Sequence, residues 1–168
     1  EGPGLSKQTV PTNVLTRGSS HPVREADLIH HWEFDENSGD VANDSVGTAH
    51  LNFTGTNGGQ WRTCVLGNCT FFDGVDDEAR VDVEDTVTDF SVSLWVQANH
   101  SGQPRYSSAI AVNDVAGDDQ SFQIMAGGGS PGDWELYHNN SYSFGAVDPT
   151  VWQHLVATFV NDTVTLYL

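Results

Sequence analysis

Positive charge is scarce in this chain of 168 residues. Six basic side chains stand against 23 acidic ones, Lys7 is the single lysine, and the formal net charge is −17. The five arginines are scattered along the sequence and form no basic run. Nucleic acids and anionic membrane surfaces bind to basic patches, which must overcome the negative field of the rest of the protein. The sequence therefore excludes both as partners.

The shortage of lysine is matched by an excess of aspartate, which supplies sixteen of the 23 acids. Self-repulsion of this size destabilises a compact domain in dilute buffer, whereas about 1 M salt shortens the Debye length to about 3 Å and screens the repulsion. The composition therefore predicts a protein of an extreme halophile. The alternative left open is an acidic secreted protein without that adaptation.

Long apolar runs are also absent, since no stretch approaches the roughly 18 residues of a membrane-spanning helix. We therefore expect no direct membrane insertion. The chain has six Asn-x-Ser/Thr sequons where roughly two are expected by chance, and this excess predicts an exported glycoprotein. Turns rich in Asn, Ser and Thr are the alternative source of such an excess. The six sequons begin at Asn43, Asn52, Asn68, Asn99, Asn139 and Asn161.

Cysteine occurs only at Cys64 and Cys69. The four residues between them allow two short strands to turn back and bring the Cα atoms within the roughly 4.4–6.8 Å of a disulfide. Two cysteines are too few for a structural zinc site without suitably spaced histidines. The pair therefore predicts a disulfide at the tip of a hairpin.

Helical periodicity is missing throughout. Residues 1–27 carry three prolines and no sustained period, which predicts an extended arm or linker. Ten short alternating runs follow between turn sequences, and they predict an all-β sandwich over residues 28–168. The runs are 28–34, 50–53, 69–72, 79–83, 90–98, 108–112, 121–126, 134–138, 151–160 and 163–168.

The alternation within two of these runs predicts which side chains meet in the core. Alternate residues share one face of a strand. The run at 90–98 places Phe90, Val92, Leu94 and Val96 on one face, and the run at 151–160 does the same with Leu155, Ala157 and Phe159. Trp95 falls on the opposite face of the first run, and Trp152 and His154 fall on the opposite face of the second. Such a face is either a concave binding surface or a second core covered by a loop.

Three segments together resemble a known family. The segments are HWEFDENSG at 31–39 with ANDSVG at 42–47, FFDGVDD at 71–77 with TDFSVSLWV at 88–96, and VWQHLVATF at 151–159 with TVTLYL at 163–168. They resemble motifs of the LamG-like, pentraxin-related domains of the concanavalin A-like lectin and glucanase superfamily. The resemblance covers residues 28–168 and implies a jelly-roll sandwich of two antiparallel sheets. Family members continue past the last motif, so we expect the domain to lack its C-terminal closing strands here.

An open sheet edge accepts a donated strand. The arm is the candidate donor, and it would pair either with its own domain or with a neighbouring one.

Members of the superfamily commonly bind calcium, so the resemblance also implies an ion site. Asp73, Asp76 and Asp77 concentrate carboxylates in one turn, and Asp44 lies in the family's Asp-Ser turn. Hard oxygen ligands in loops suit Ca²⁺. These four aspartates are the predicted ligands, and the alternative is a solvated acidic turn in a chain that is acidic everywhere.

The superfamily also includes glucanases that carry Glu-x-Asp-x-Glu or Glu-x-Asp-x-x-Glu along one strand. Glu33 and Asp35 begin that pattern, but Asn37 and Ser38 stand where the second glutamate is required. Retaining hydrolysis needs two carboxyl groups about 5–5.5 Å apart. We therefore predict that the protein is not an enzyme.

Sugar binding is what the resemblance implies for function, and it requires exposed aromatic platforms with nearby polar groups. The predicted platforms near polar or Gly-rich loops are Trp61, Tyr106, Trp134, Tyr137 and Tyr142. The leading prediction is an extracellular, non-catalytic adhesion or recognition module on a cell or virion surface, with surface glycans as ligands. The alternative is a structural subunit of a surface filament, surface layer or virion appendage that binds a protein partner or further copies of itself, assembling by strand donation.

Overall fold

The computed structural model describes residues 13–17, 27–55, 60–65, 67–82, 89–99, 107–112, 122–127, 132–138, 140–161 and 163–168. At 13–17, 60 and 107 the description covers the backbone only. The strands in chain order are β1 (Asn13–Arg17), β2 (Leu28–Trp32), β3 (Val41–Ala42), β4 (Leu51–Thr54), β5 (Gln60–Thr63), β6 (Asn68–Phe71), β7 (Glu78–Arg80), β8 (Phe90–Val96), β9 (Ser107–Val112), β10 (Phe122–Ala126), β11 (Asp133–His138), β12 (Asn140–Ala146), β13 (Gln153–Val160) and β14 (Thr163–Tyr167).

Two larger sheets make up most of the structure. One has the order β14-β13-β8-β1-β2 and the other β12-β11-β10-β9, while β3-β4-β7 and β5-β6 form two small sheets. Each of these strand pairs is antiparallel. The predicted all-β fold is thus confirmed. Within the described ranges there is no helix that is both long and apolar enough to span a membrane.

The core lies where the alternation of β8 and β13 predicts it. Val92 and Leu94 of β8 are buried with Leu155 and Ala157 of β13, and side chains of β10 and β11 pack against them. The rings of Phe90 and Phe159 stack with centroids 4.4 Å apart. Side chains from both large sheets therefore build one core, as in a two-layer sandwich.

The segment predicted as an arm contributes a strand to the larger sheet. β1 pairs with β2 on one side and with β8 on the other, so that Val14 lies opposite both His31 and Ser93. This strand fills the space between β2 and β8 within its own chain. The domain boundary at residue 27 stays a prediction, and residues 18–26 lie outside the described ranges.

The predicted disulfide joins Cys64 and Cys69 at the β5–β6 hairpin, with their Cα atoms 5.8 Å apart. The Cys64 N–H donates to the carbonyl of Gly67, whose φ of +65° is accessible to glycine at little cost. Asp35 holds the same tip from outside, because its carboxylate accepts the Asn68 N–H at 2.6 Å. The hairpin is therefore fixed both within itself and to the loop after β2.

Candidate functional site

Strands β8, β13 and β14 carry a row of side chains on the face opposite the core. The register pairs His154 with Trp95 and Val156 with Tyr167. Directly paired residues point to the same side of a sheet. Leu155, next to His154, is in the core, so all four of these side chains lie on the other face. This agrees with the face predicted for Trp95 and His154.

At one end of this face lies an open groove of about 420 Å³. We call it the aromatic groove; its lining residues are Trp95, Trp152, Gln153, His154, Tyr167 and Leu168. Tyr167 and Leu168 are the most open, each with 57% of its surface exposed. The groove thus combines aromatic rings, an apolar wall and a phenolic hydroxyl in one concave surface.

The rings of Trp95 and His154 stack within the groove, with centroids 4.8 Å apart and planes 13° apart. Ser93 fixes the imidazole further, since its Oγ lies 2.8 Å from His154 Nε2. Burial disfavours the imidazolium and lowers the pKa of His154 below its usual value. The imidazole is therefore neutral at pH 7, and the stacked pair is an uncharged, positioned surface.

Gln153 holds the rim of the groove to the rest of the sandwich. Its Oε1 accepts from the Trp134 indole and from the Asp148 N–H, both at 2.8 Å, and its Nε2 donates to the Ala146 carbonyl at 2.9 Å. Asp148 also accepts from Thr150, whose side chain and backbone hold the pKa of that carboxyl below its ordinary value. The loop before Trp152 is therefore fixed by side-chain hydrogen bonds.

A second candidate site lies in the turn between β6 and β7. Carboxylate oxygens of Asp73, Asp76 and Asp77 all lie within 4.8 Å of one another, and we call these residues the acidic turn. The Asp73 N–H donates to Asp77 Oδ2 at 3.1 Å, and Asp73 Oδ1 accepts the Val75 N–H at 2.7 Å. Gly74 allows the turn with a φ of +78°. The structure thus brings together three of the four predicted ligands.

The chemistry of the acidic turn fits calcium. Two ligand oxygens on one Ca²⁺ ion, each at about 2.4 Å, are at most about 4.8 Å apart. Asp77 Oδ1 is buried, and within the described part of the chain no donor reaches it. A Cβ placed on Gly55 would lie 2.6 Å from this oxygen and 3.0 Å from the Asp76 carbonyl. Backbone thus packs closely around an oxygen that accepts no hydrogen bond from a described residue.

Asp44 does not join this cluster, which corrects the predicted grouping of four ligands. It is 5% exposed and lies beside β2, where its carboxylate is occupied by protein donors. Oδ1 accepts from the N–H groups of His31, Val46 and Gly47, and Oδ2 accepts from Ala49 N–H and lies 2.6 Å from His30 Nδ1. Burial alone would raise its pKa, but the Gly47 N–H, the His30 ring and the other donors hold that pKa well below the usual range. Asp44 therefore anchors the turn at 44–49.

The prediction that Trp134 is an exposed aromatic platform is wrong, because this side chain is 3% exposed and belongs to the core. Tyr137 and Tyr142 are exposed at 50% and 37%, but the register pairs Tyr142 with buried Leu136, so the two tyrosines lie on opposite faces of their sheet. The Trp61 indole donates to the Gly39 carbonyl at 2.8 Å. Tyr106 lies outside the described residues. The four described residues do not form one platform.

The sequence left open whether the face that carries the aromatic groove is a binding surface or a covered second core, and none of the residues that line the groove was predicted as a ligand-binding residue. The alternation within the runs at 90–98 and 151–160 placed Trp95, Trp152 and His154 off the core, and that was the available signal. Bringing Trp95 next to His154, and adding Tyr167 to them, requires the registers between β8, β13 and β14. A single strand pattern contains no register, so the four side chains could not be assembled from it.

Four of the predicted glycosylation sites are exposed: Asn43, Asn52, Asn99 and Asn161. Asn68 is partly buried, and its side-chain amide donates to the Asp35 carbonyl at 3.2 Å. Asn139 lies outside the described residues. Glycan attachment at all six stays a prediction.

Comparison with known proteins gives one family. The family model described as the concanavalin A-like lectin/glucanases superfamily matches residues 72–168, which is more than half of the chain. The matched segment contains the whole acidic turn and every residue that lines the aromatic groove. Comparisons with curated proteins and with solved structures gave no significant match.

Proposed function

The chain belongs to the concanavalin A-like lectin/glucanases superfamily, and on that premise we propose that it is a non-catalytic, extracellular module that binds glycans in the aromatic groove. The superfamily supports a carbohydrate-binding or adhesion-type module, and its laminin-G-like members are generally binding modules without catalysis. The observation that carries the finer proposal is the clustering of Trp95, Trp152 and Tyr167 in one concave surface.

The groove has the features that a sugar requires. A pyranose ring presents an apolar face of C–H groups that packs against an aromatic ring, and its hydroxyls hydrogen-bond to polar groups at the edge. The volume of about 420 Å³ lies within the range of roughly 300–1,000 Å³ typical of small-ligand sites. Trp95 and His154 form an already stacked surface, so little side-chain freedom is lost on binding.

Several observations support binding without hydrolysis. Glycosidases typically place two carboxyl groups about 5–9.5 Å apart around the scissile bond, whereas none of the six residues lining the groove is acidic. Asp35, which begins the incomplete glucanase pattern, accepts the Asn68 N–H at 2.6 Å at the hairpin tip. Its carboxylate therefore has a structural role.

We further propose that Asp73, Asp76 and Asp77 hold a calcium ion. Bound calcium supplies positive charge that neutralises clustered carboxylates and ties a loop together. The buried Asp77 Oδ1 and the packed backbone of Gly55 support this assignment. In this proposal the ion fixes the β6–β7 turn and takes no part in the groove.

Export to a cell or virion surface of a halophile remains part of the proposal. The sequons, the Cys64–Cys69 disulfide and the net charge of −17 support it. The alternative, a surface-assembly subunit that donates its arm to a neighbour, has less support because β1 pairs on both sides within its own chain.

The experiment is glycan-array screening followed by titration calorimetry of the best ligand with wild type, Trp152→Ala and Tyr167→Ala. We expect affinity to fall about tenfold or more in either variant, a loss of about 1.4 kcal/mol, because each removes a wall of the groove. Tyr137→Ala is the matched control, as it removes an exposed aromatic ring from the other large sheet. Circular dichroism melts verify folding. Equal affinity of wild type and both groove variants would contradict the proposal.

A further inference from the structure

The aromatic groove is uncharged within a highly charged protein. Charged residues make up 17% of the chain, and the net charge is −17. None of the six lining residues is Asp, Glu, Lys or Arg. Among the residues that the structure describes, the groove is therefore an uncharged area on a strongly negative molecule, and none of them offers its ligand an ion pair.

His154 is the one lining residue that could become a cation, and its surroundings oppose this. Ser93 and Trp95 of β8 contact it, and Trp152, Gln153 and Tyr167 line the groove with it. None of these supplies a carboxylate to pair with an imidazolium. Burial keeps the pKa of His154 below its usual value, so the ring is neutral at pH 7.

The described cationic side chains are committed elsewhere. The Arg62 guanidinium lies over the Phe71 ring, 4.1 Å from its centroid, and Arg80 lies 3.5 Å from Asp82. Both belong to the small sheets, whereas the groove lies on the five-stranded sheet. A carboxylate or sulfate in the groove would lose hydration without gaining a cation from any described side chain, which is unfavourable.

The polar groups in the groove suit hydroxyls. The Gln153 amide is already used in three hydrogen bonds within the protein. The Tyr167 hydroxyl both donates and accepts, and His154 Nδ1 is the imidazole nitrogen not engaged by Ser93. Together with the aromatic rings, these groups match a ligand with apolar C–H faces and neutral hydroxyl edges.

We infer that the aromatic groove selects uncharged pyranose chains and rejects acidic glycans of the same linkage. This inference rests on the proposed glycan-binding function and specifies its ligand class. The rejection has two sources, which are the general negative field of the protein and the lack of a cationic side chain among the described residues that line the groove. High salt screens the first source and leaves the second in place, so the two are separable.

The test is calorimetric titration of neutral hexasaccharides of β-1,4-linked glucose, mannose and xylose, and of hexaglucuronate as the carboxylated counterpart of the glucose chain. Titrations are done at pH 7.5 in dilute buffer and in about 2 M KCl. We expect a neutral chain to bind in both buffers, and hexaglucuronate to bind at least tenfold more weakly than the best neutral chain in both.

Each other outcome has a distinct meaning. One outcome is that hexaglucuronate binds as tightly as the best neutral chain in about 2 M KCl and that Trp152→Ala abolishes this binding. That outcome overturns the inference about charge but leaves the proposal of glycan binding in the groove intact. Failure of every sugar in the array and of these chains to bind overturns both proposals. If the protein forms a concentration-dependent dimer and Tyr167→Ala abolishes it, the groove is occupied by a second copy of the chain. This outcome also overturns both the inference and the proposed function.

A charge-insertion pair tests the local source directly. Leu168→Arg places a cation in the groove, and Val160→Arg makes the same charge change at an exposed position of β13 that does not line it. We expect Leu168→Arg to increase the affinity for hexaglucuronate at least fivefold relative to Val160→Arg. Equal effects of the two variants would assign the discrimination to the general field and overturn the role of the groove.

Discussion

Two aspartate turns in this protein differ in how many hydrogen-bond donors they offer a buried carboxylate oxygen. In the turn at 44–49, five donors of the chain itself surround the carboxylate of Asp44. In the acidic turn, Asp77 Oδ1 is buried without a described donor beside two further carboxylates. A carboxylate that has all its donors stabilises the fold by itself, whereas one without them needs a partner from outside the chain, such as a water molecule or a cation. The same residue type thus has a structural role in one turn and a proposed binding role in the other.

The largest expected effect comes from breaking the turn at 44–49. Asp44→Ala leaves several buried donors unpaired, and we expect it to lower the free energy of unfolding by about 3–5 kcal/mol. Asp44→Asn keeps the shape and some acceptor capacity, so its loss should be smaller. Urea unfolding followed by tryptophan fluorescence measures both. Should Asp44→Ala not fold, the Asp44→Asn midpoint still decides, because a midpoint equal to that of wild type would contradict the anchoring role.

The next effect tests the acidic turn. Calcium that binds only the folded state adds stability by mass action, about 2.7 kcal/mol at a hundred times its dissociation constant. We expect added Ca²⁺ to raise the melting temperature of wild type, EGTA to reverse the rise, and Asp77→Asn to abolish it. Asp40→Asn, an exposed acid outside the cluster, is the control for the loss of one negative charge. A melting temperature that does not respond to Ca²⁺ in wild type would remove the proposed site.

A smaller expected effect is the contribution of Asp44 to the pH dependence of the free energy of unfolding. Because the folded-state pKa of Asp44 lies below its usual value, its ionised form contributes stability in full above about pH 4. That stability is lost as the pH falls further toward the lowered pKa. We expect the free energy of unfolding of wild type to fall more steeply below about pH 4 than that of Asp44→Asn. Parallel curves for the two proteins in urea titrations across this range would contradict the linkage.

The sequence predicted the fold more fully than the sites. Strict alternation over β8 and β13 was sufficient to place Val92, Leu94, Leu155 and Ala157 in the core. Trp134 was wrongly predicted to be exposed because it lies next to a Gly-rich loop, although alternation places it on the same face as Leu136, and both are buried. Glu135 between them is the exception, since it is also buried at the shift of the β11–β12 register. Alternation applies only while the ladder is regular.

The acidic turn was predictable because its ligands are close in sequence. Asp73, Asp76 and Asp77 share a single turn, so any compact conformation brings their carboxylates together. The groove depends instead on strands that are far apart in sequence, since Trp95 and His154 meet only through the β8–β13 register. Asp44 was misgrouped for the related reason that its donors depend on how the turn at 44–49 closes onto β2.

The position of β1 constrains the order in which the larger sheet is built. β1 precedes β2 in the chain, yet its second neighbour, β8, is synthesised about 70 residues later. Joining such distant segments requires closure of a long loop, which is entropically costly and slows folding. During synthesis, one edge of β1 therefore waits without its partner until Phe90–Val96 has emerged from the ribosome. In that interval the edge of β1 that faces β8 in the folded protein has no partner, and an unpaired strand edge is open to pairing with another molecule.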